Sequence, residues 1–208
     1  MPKHILLIAL IFPLQSLASE LYVTITDAEK KPVPFAVVEL VNENYPAKPA
    51  SEAAQVIQQD LNFQPFVSIV TQGTFVEFPN MDKTRHHVYS FSPAKVFELR
   101  LYSGEPEAPV MFDRAGIVTL GCNIHDNMLA YVYVSGSHFT TMTNASGVAH
   151  FNNLPQHEFE IRVWHPWQQA PLSPLFISVK AGTEHLDRVL DIQWQDLPAA
   201  NKAGFGDY

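Results

Sequence analysis

Short apolar runs separated by proline- and Asn/Asp-rich turns recur along this chain, and no stretch carries the 3.6-residue apolar period of a long amphipathic helix. Leu21-Tyr22-Val23-Thr24-Ile25-Thr26 alternates as a half-buried strand does. Asp27 to Pro34 is turn chemistry, and Phe35 to Val41 is a second apolar run. The same style returns late in the chain, with a strand from about Thr140, the turn Asn144-Ala145-Ser146-Gly147, another strand, and then Glu158 to Trp164. Phe176 to Lys180 and Leu186 to Trp194 read as further strands, and Asn42 to Ala50, holding Pro46 and Pro49, reads as a linker. With 16 prolines against 9 glycines, and Val, Thr, Tyr and Phe abundant, an all-β chain is expected.

The first residues read as a signal peptide spanning 1–18. Lys3 supplies the positive start, Ile5 to Leu14 is apolar around one proline, and Ser16 and Ala18 are the small residues that a signal peptidase reads. The run is too short for a permanent span, so no stable membrane span is expected after cleavage. A periplasmic or secreted location follows. The net charge is −8, and losing Lys3 makes it one unit more negative. A surface of that sign is a poor nucleic-acid binder, because phosphate neutralisation needs a basic face. It suits a partner with a positive docking face.

Cys122 is the one cysteine, so an exported chain has no internal disulfide to give it. Metal ligation is one of few stable fates for a lone thiol in an oxidising compartment. Its neighbours fit that fate. Cys122-Asn123-Ile124-His125-Asp126-Asn127-Met128 spaces a thiolate, an imidazole and a thioether three residues apart, so a tight turn can aim all three at one ion. Two His and one Cys with a weak Met is a copper donor set, soft enough for Cu(I) and able to accept Cu(II).

Upstream, Gly73-Thr74-Phe75-Val76-Glu77-Phe78-Pro79-Asn80-Met81-Asp82 leads through three residues to His86-His87-Val88. With the Cys122 to Met128 string, and with Gly116 six residues before Cys122, this resembles the cupredoxins, and the short loop has amicyanin and pseudoazurin spacing. The resemblance covers about residues 51–135 and implies a Greek-key β-sandwich with one type 1 copper ion on His86, Cys122, His125 and Met128. Adjacent strand residues face opposite sides, so only one of His86 and His87 can reach the ion. The family's ligand position falls on His86, and His87, standing where the family usually has Asn, becomes a hydrogen-bonding residue behind the ligands. Ala130, Val118, Leu120, Asn123, Ile124 and Asp126 also depart from the usual pattern. Tyr89 to Pro93 and Phe97 to Leu99 further resemble exported cupredoxins labelled methylamine-utilisation proteins.

The flanks resemble carboxypeptidase-regulatory-like or transthyretin-like seven-stranded sandwiches. The matching features are Lys31-Pro32-Val33-Pro34 after the Thr26-Asp27 turn, then the Asn144 to Gly147 turn, Leu154-Pro155 and Ile161-Arg162-Val163. The expected organisation is a discontinuous Ig/transthyretin-like sandwich (20–48 and 137–195) with a cupredoxin domain (49–136) inserted in or beside it and a flexible tail at 196–208. One elongated sandwich is the alternative. His150, His157, His165 and His185 lack ligand spacing, and Trp164-His165-Pro166-Trp167 reads as packing at a sandwich edge.

The chain holds no H-E-x-x-H, no phosphate-cradling glycine loop and no G-x-S-x-G elbow, so an enzyme is not expected. The resemblance implies one-electron transfer with a redox partner, a cytochrome or a dehydrogenase. It also implies that His125 lies near the surface in the docking patch, flanked by Asp126 and Asn127. Copper delivery, or a binding role for the outer sandwich, are the alternatives.

Overall fold

A computed structural model describes residues 19–106 and 108–198, so the expected signal peptide and most of the expected tail lie outside the described residues. No helix occurs among the described residues, and the chain is a set of packed β-sheets. In chain order the strands begin with β1 (Ser19–Thr26), β2 (Val37–Val41), β3 (Ala54–Gln55), β4 (Ile57–Gln59), β5 (Asn62–Gln64) and β6 (Val67–Thr71). They continue with β7 (Thr74–Glu77), β8 (His86–Ser92), β9 (Lys95–Tyr102), β10 (Val110–Phe112), β11 (Gly116–Gly121) and β12 (Leu129–Ser135). The last five are β13 (Phe139–Met142), β14 (Val148–Phe151), β15 (Glu158–Trp164), β16 (Leu175–Ser178) and β17 (Gly182–Val189).

The earliest and latest strands enclose one core. One sheet runs β14-β1-β17 and faces another running β13-β2-β15-β16. The alternation read in β1 buries Leu21, Val23 and Ile25, which meet Val38 and Leu40 of β2 and Phe159 and Ile161 of β15 in a shared cluster. Each such side chain contributes about 1.5–3 kcal/mol by leaving water.

The last strand differs from its expected position. It runs Gly182–Val189, not to Trp194, because its whole length pairs in parallel with β1. Trp194 instead donates its indole N–H to Asp27 at 2.8 Å, closing the turn after β1.

The middle strands enclose a second core. Sheets running β6-β12-β11-β8-β9 and β10-β7-β3 bury Val76, Phe78, Val88, Phe112, Val118, Leu120 and Val132, and Cys122 and Met128 belong to the same cluster.

Between the two cores Val37, Val67 and Tyr133 pack with Phe66, Ile117 and Trp164. Glu39, 4% exposed, anchors this joint. Its carboxylate accepts hydrogen bonds from Tyr133 Oη at 2.9 Å, Ser135 Oγ at 2.7 Å, and the amides of Gly136 at 2.9 Å and Ser137 at 3.1 Å. A buried carboxylate persists where its acceptor sites are filled in this way. Trp164-His165-Pro166-Trp167 also lies at the joint and not at a free sandwich edge. Trp167 contacts Phe66, and His165 is 1% exposed.

Candidate metal centre

The loop from Cys122 to Met128 is the connection of a hairpin. Strands β11 and β12 pair antiparallel with Gly121 opposite Leu129, and Met128 N–H donates to His125 C=O at 3.0 Å inside the loop. This closure brings the Cys122 and His125 side chains together. Cys122 Sγ lies 3.8 Å from His125 Nδ1, Cys122 is 5% exposed and Met128 is 1% exposed. His125 is half-buried.

His86 opens β8 and is fully buried. Its ring centroid is 5.0 Å from that of His125. One donor atom each from His86, Cys122 and His125 lies within 4.8 Å of the other two, so these three side chains form a group that can hold a metal ion. Met128 shares their core, and His87 is outside the group.

The approach to His86 is built by Asn80 and Asp82. Asn80 Nδ2 donates to the carbonyls of Thr84 and Tyr102, both at 2.9 Å, while its Oδ1 accepts Asp82 N–H at 2.9 Å. Asp82 in turn accepts the amides of Asp60 at 2.8 Å and Leu61 at 3.1 Å, and its Oδ2 lies 2.8 Å from His86 Nε2. Burial pushes the Asp82 carboxyl up, but His86 and the two amides outweigh it and hold it below the ordinary value. An ionised carboxylate only accepts, so Nε2 carries the proton. Nδ1 of His86 is then the nitrogen left to meet a metal, and it is buried without a hydrogen-bond partner. A carboxylate behind a histidine in this manner fixes tautomer and ring orientation for a metal.

Cys122 is prepared to be a thiolate. Burial raises its pKa, but the imidazole of His86, the backbone N–H groups of His87 and Ile124, and the imidazole of His125 around the sulfur favour the thiolate and bring it down to about 6. Tyr89 packs over the neighbouring Gly121, where a Cβ would meet its ring at 2.8 Å.

His87 is 6% exposed, and its side chain turns to β9. Its Nε2 pairs with Glu98 Oε1 of β9 at 2.9 Å, a charged acceptor within reach on the outer face. Asp82 lay inside the strand-to-histidine motif, but its role depends on a contact with residues 60 and 61 that no local pattern announces. The orphaned Nδ1, the low thiol pKa and the soft donors fit copper: a site of two His and one Cys, with Met nearby, is the donor set of mononuclear copper centres.

No protein-family profile matches this chain, and no curated protein matches it. Among solved structures it is similar to a purple cupredoxin from Nitrosopumilus maritimus, at 22% identity and a TM-score of 0.36, covering 39% of this chain and 99% of that one. It is similar to a copper-containing nitrite reductase from Thermus scotoductus SA-01 at 22% identity and TM-score 0.38, covering 47% of this chain and 25% of that one. Amicyanin from Paracoccus versutus has 17% identity and TM-score 0.34, covering 47% of this chain and 97% of that one.

Proposed function

We propose that this chain is an exported, mononuclear type 1 copper protein that carries single electrons and is not an enzyme, with His86, Cys122, His125 and Met128 as the ligands. The observation that carries the reading is that one donor atom each from His86, Cys122 and His125 lies within 4.8 Å of the other two, in a buried group where Nδ1 of His86 has no hydrogen-bond partner. Copper, when bound there, supplies the Cu(I)/Cu(II) couple.

The chain's own residues do the rest. Asp82 keeps the proton on Nε2 of His86 and leaves Nδ1 free. The imidazole of His86, the N–H groups of His87 and Ile124 and the imidazole of His125 favour the Cys122 thiolate, and the surrounding core excludes water. Donors fixed before the ion arrives need little rearrangement between oxidation states. Half-buried His125 beside Asp126 and Asn127 is the proposed contact for a redox partner, a cytochrome or a dehydrogenase with a positive face to suit the net charge of −8. In this reading residues 49–136 are the copper domain, inserted into an Ig/transthyretin-like sandwich of residues 20–48 and 137–195.

Voltammetry of the copper-loaded protein tests the electron-carrier role. A reversible one-electron wave, with copper retained against a chelator in both oxidation states, is expected. Release of the reduced ion on each cycle would instead identify a delivery protein.

A further inference from the structure

Two consecutive non-glycine residues near the metal centre hold left-handed backbone. Asp60, at φ 54°, and Leu61, at φ 57°, form the two-residue loop between β4 and β5, where Gln59 opposes Asn62. A hairpin loop of this length favours positive φ at both positions, and Asn-Gly is the pair that meets the demand most easily. Aspartate tolerates the region, but in leucine the Cβ crowds the following carbonyl. Strain of this kind persists only where the surroundings over-determine it.

Asp82 is what the strained loop meets. Asp60 N–H donates to its Oδ1 at 2.8 Å and Leu61 N–H to its Oδ2 at 3.1 Å, and the third partner of the carboxylate is His86 Nε2, 2.8 Å from Oδ2. Among the described residues the loop thus supplies two of the three hydrogen bonds to that carboxylate. The hairpin is also fixed to the segment that carries Asp82. Gln58, fully buried, donates its N–H to Pro79 C=O and accepts Met81 N–H, both at 2.8 Å, and its Nε2 donates to Phe78 C=O at 2.9 Å. Phe63 of β5 packs in the core that holds Cys122 and Met128.

We infer that the Asp60–Leu61 loop is a positioning element for the metal centre: its two amides set the Asp82 carboxylate, and Asp82 sets which nitrogen of His86 faces the ion. The consequence for copper rests on the copper reading above; the consequence for the His86 ring does not. A carboxylate that loses two of its three partners turns to water, and the Nε2–H form of His86 is no longer the one form favoured. A metal must then reorder the ring on binding, and its affinity falls by the cost of that ordering.

The test compares wild type with Leu61→Gly, which keeps the amide and the left-handed backbone, and Leu61→Pro, which lacks the N–H and fixes φ at about −65°. In metal-free protein, at a pH where the ring is neutral, nitrogen NMR of His86 is expected to show the Nε2–H tautomer in wild type and Leu61→Gly and a mixture in Leu61→Pro. Competition for copper(I) against a chelator is expected to give equal affinities for the first two. Leu61→Pro should lose about tenfold, the low end of what removing a partner behind a metal-bound histidine costs. A loop with a purely structural role would make Leu61→Pro easier to unfold and leave tautomer and affinity as they are. That result overturns the inference, and so does a mixed tautomer with unchanged affinity. If Leu61→Pro does not fold, inserting two glycines between Asp60 and Leu61 also carries the amides off Asp82, and the same comparisons decide. A wild-type chain that takes up no copper sinks the copper reading, and the tautomer comparison still decides for or against the loop.

Discussion

Asp82 Oδ2 and His86 Nε2 stand 2.8 Å apart, and that contact decides which nitrogen of His86 is free to bind a metal. It also ties His86 to residues far outside the Cys122 to Met128 loop, since Asp82 is itself held by the amides of Asp60 and Leu61. Replacing Asp82 by Ala frees the ring to rotate and to carry its proton on either nitrogen. Copper affinity is expected to fall about 10–100-fold, as it does when a carboxylate behind a metal-binding histidine is lost. Competition against a chelator of known affinity measures this, and an unchanged affinity removes Asp82 from the account.

Glu39 makes a prediction about stability. Glu39→Ala strands the Tyr133 phenol and the Gly136 amide at the joint between the cores, while Ser135 Oγ and the Ser137 amide, which also donate to that carboxylate, keep partners in the Ser137 carbonyl and in Ser135 Oγ. A loss of about 3–5 kcal/mol is expected in urea unfolding, with Glu39→Gln milder because its amide oxygen still accepts. A loss below about 1 kcal/mol for the alanine variant would mean that the joint is held by its apolar contacts alone.

His165 makes a prediction about acid. Burial pushes its pKa down to about 4, against the pull of the Pro34 carbonyl. Its Nε2 lies 3.1 Å from that carbonyl and its Nδ1 accepts Trp167 N–H at 3.2 Å, so the ring is satisfied only when neutral. The folded pKa lies below the unfolded value of about 6.5, so the unfolded chain takes up the proton first. The contribution of His165 is therefore complete above about pH 6.5 and drains as the pH falls toward 4, by up to about 3 kcal/mol. Unfolding of metal-free protein at about pH 7.5 and about pH 4.5 should show a smaller acid loss in His165→Phe than in wild type. Equal losses would contradict the assignment.

These three residues differ in how visible they are in the sequence. Cys122 and His125 are legible because a hairpin loop converts their local spacing directly into proximity. The strand alternation of Leu21 to Thr26 is legible for the same reason: the period of two is a local property. Glu39 is not, because its partners lie 94 to 98 positions away and nothing near residue 39 marks them. Likewise, the parallel pairing of Ser19–Thr26 with Gly182–Val189 set the limits of the last strand, which its own composition extended to Trp194. The choice between His86 and His87 sits between these cases. Alternation says that only one can face the cluster, while the two carboxylates, Asp82 and Glu98, determine what each imidazole pairs with.

The central claim is a copper ion bound through the Cys122 thiolate, and a visible absorption spectrum of the Cu(II)-loaded protein beside Cys122→Ser tests it most directly. The account predicts one equivalent of copper and an intense thiolate-to-copper charge-transfer band in the visible, present in wild type and absent in Cys122→Ser. A colourless Cu(II) protein, or a band that survives the serine substitution, would contradict it.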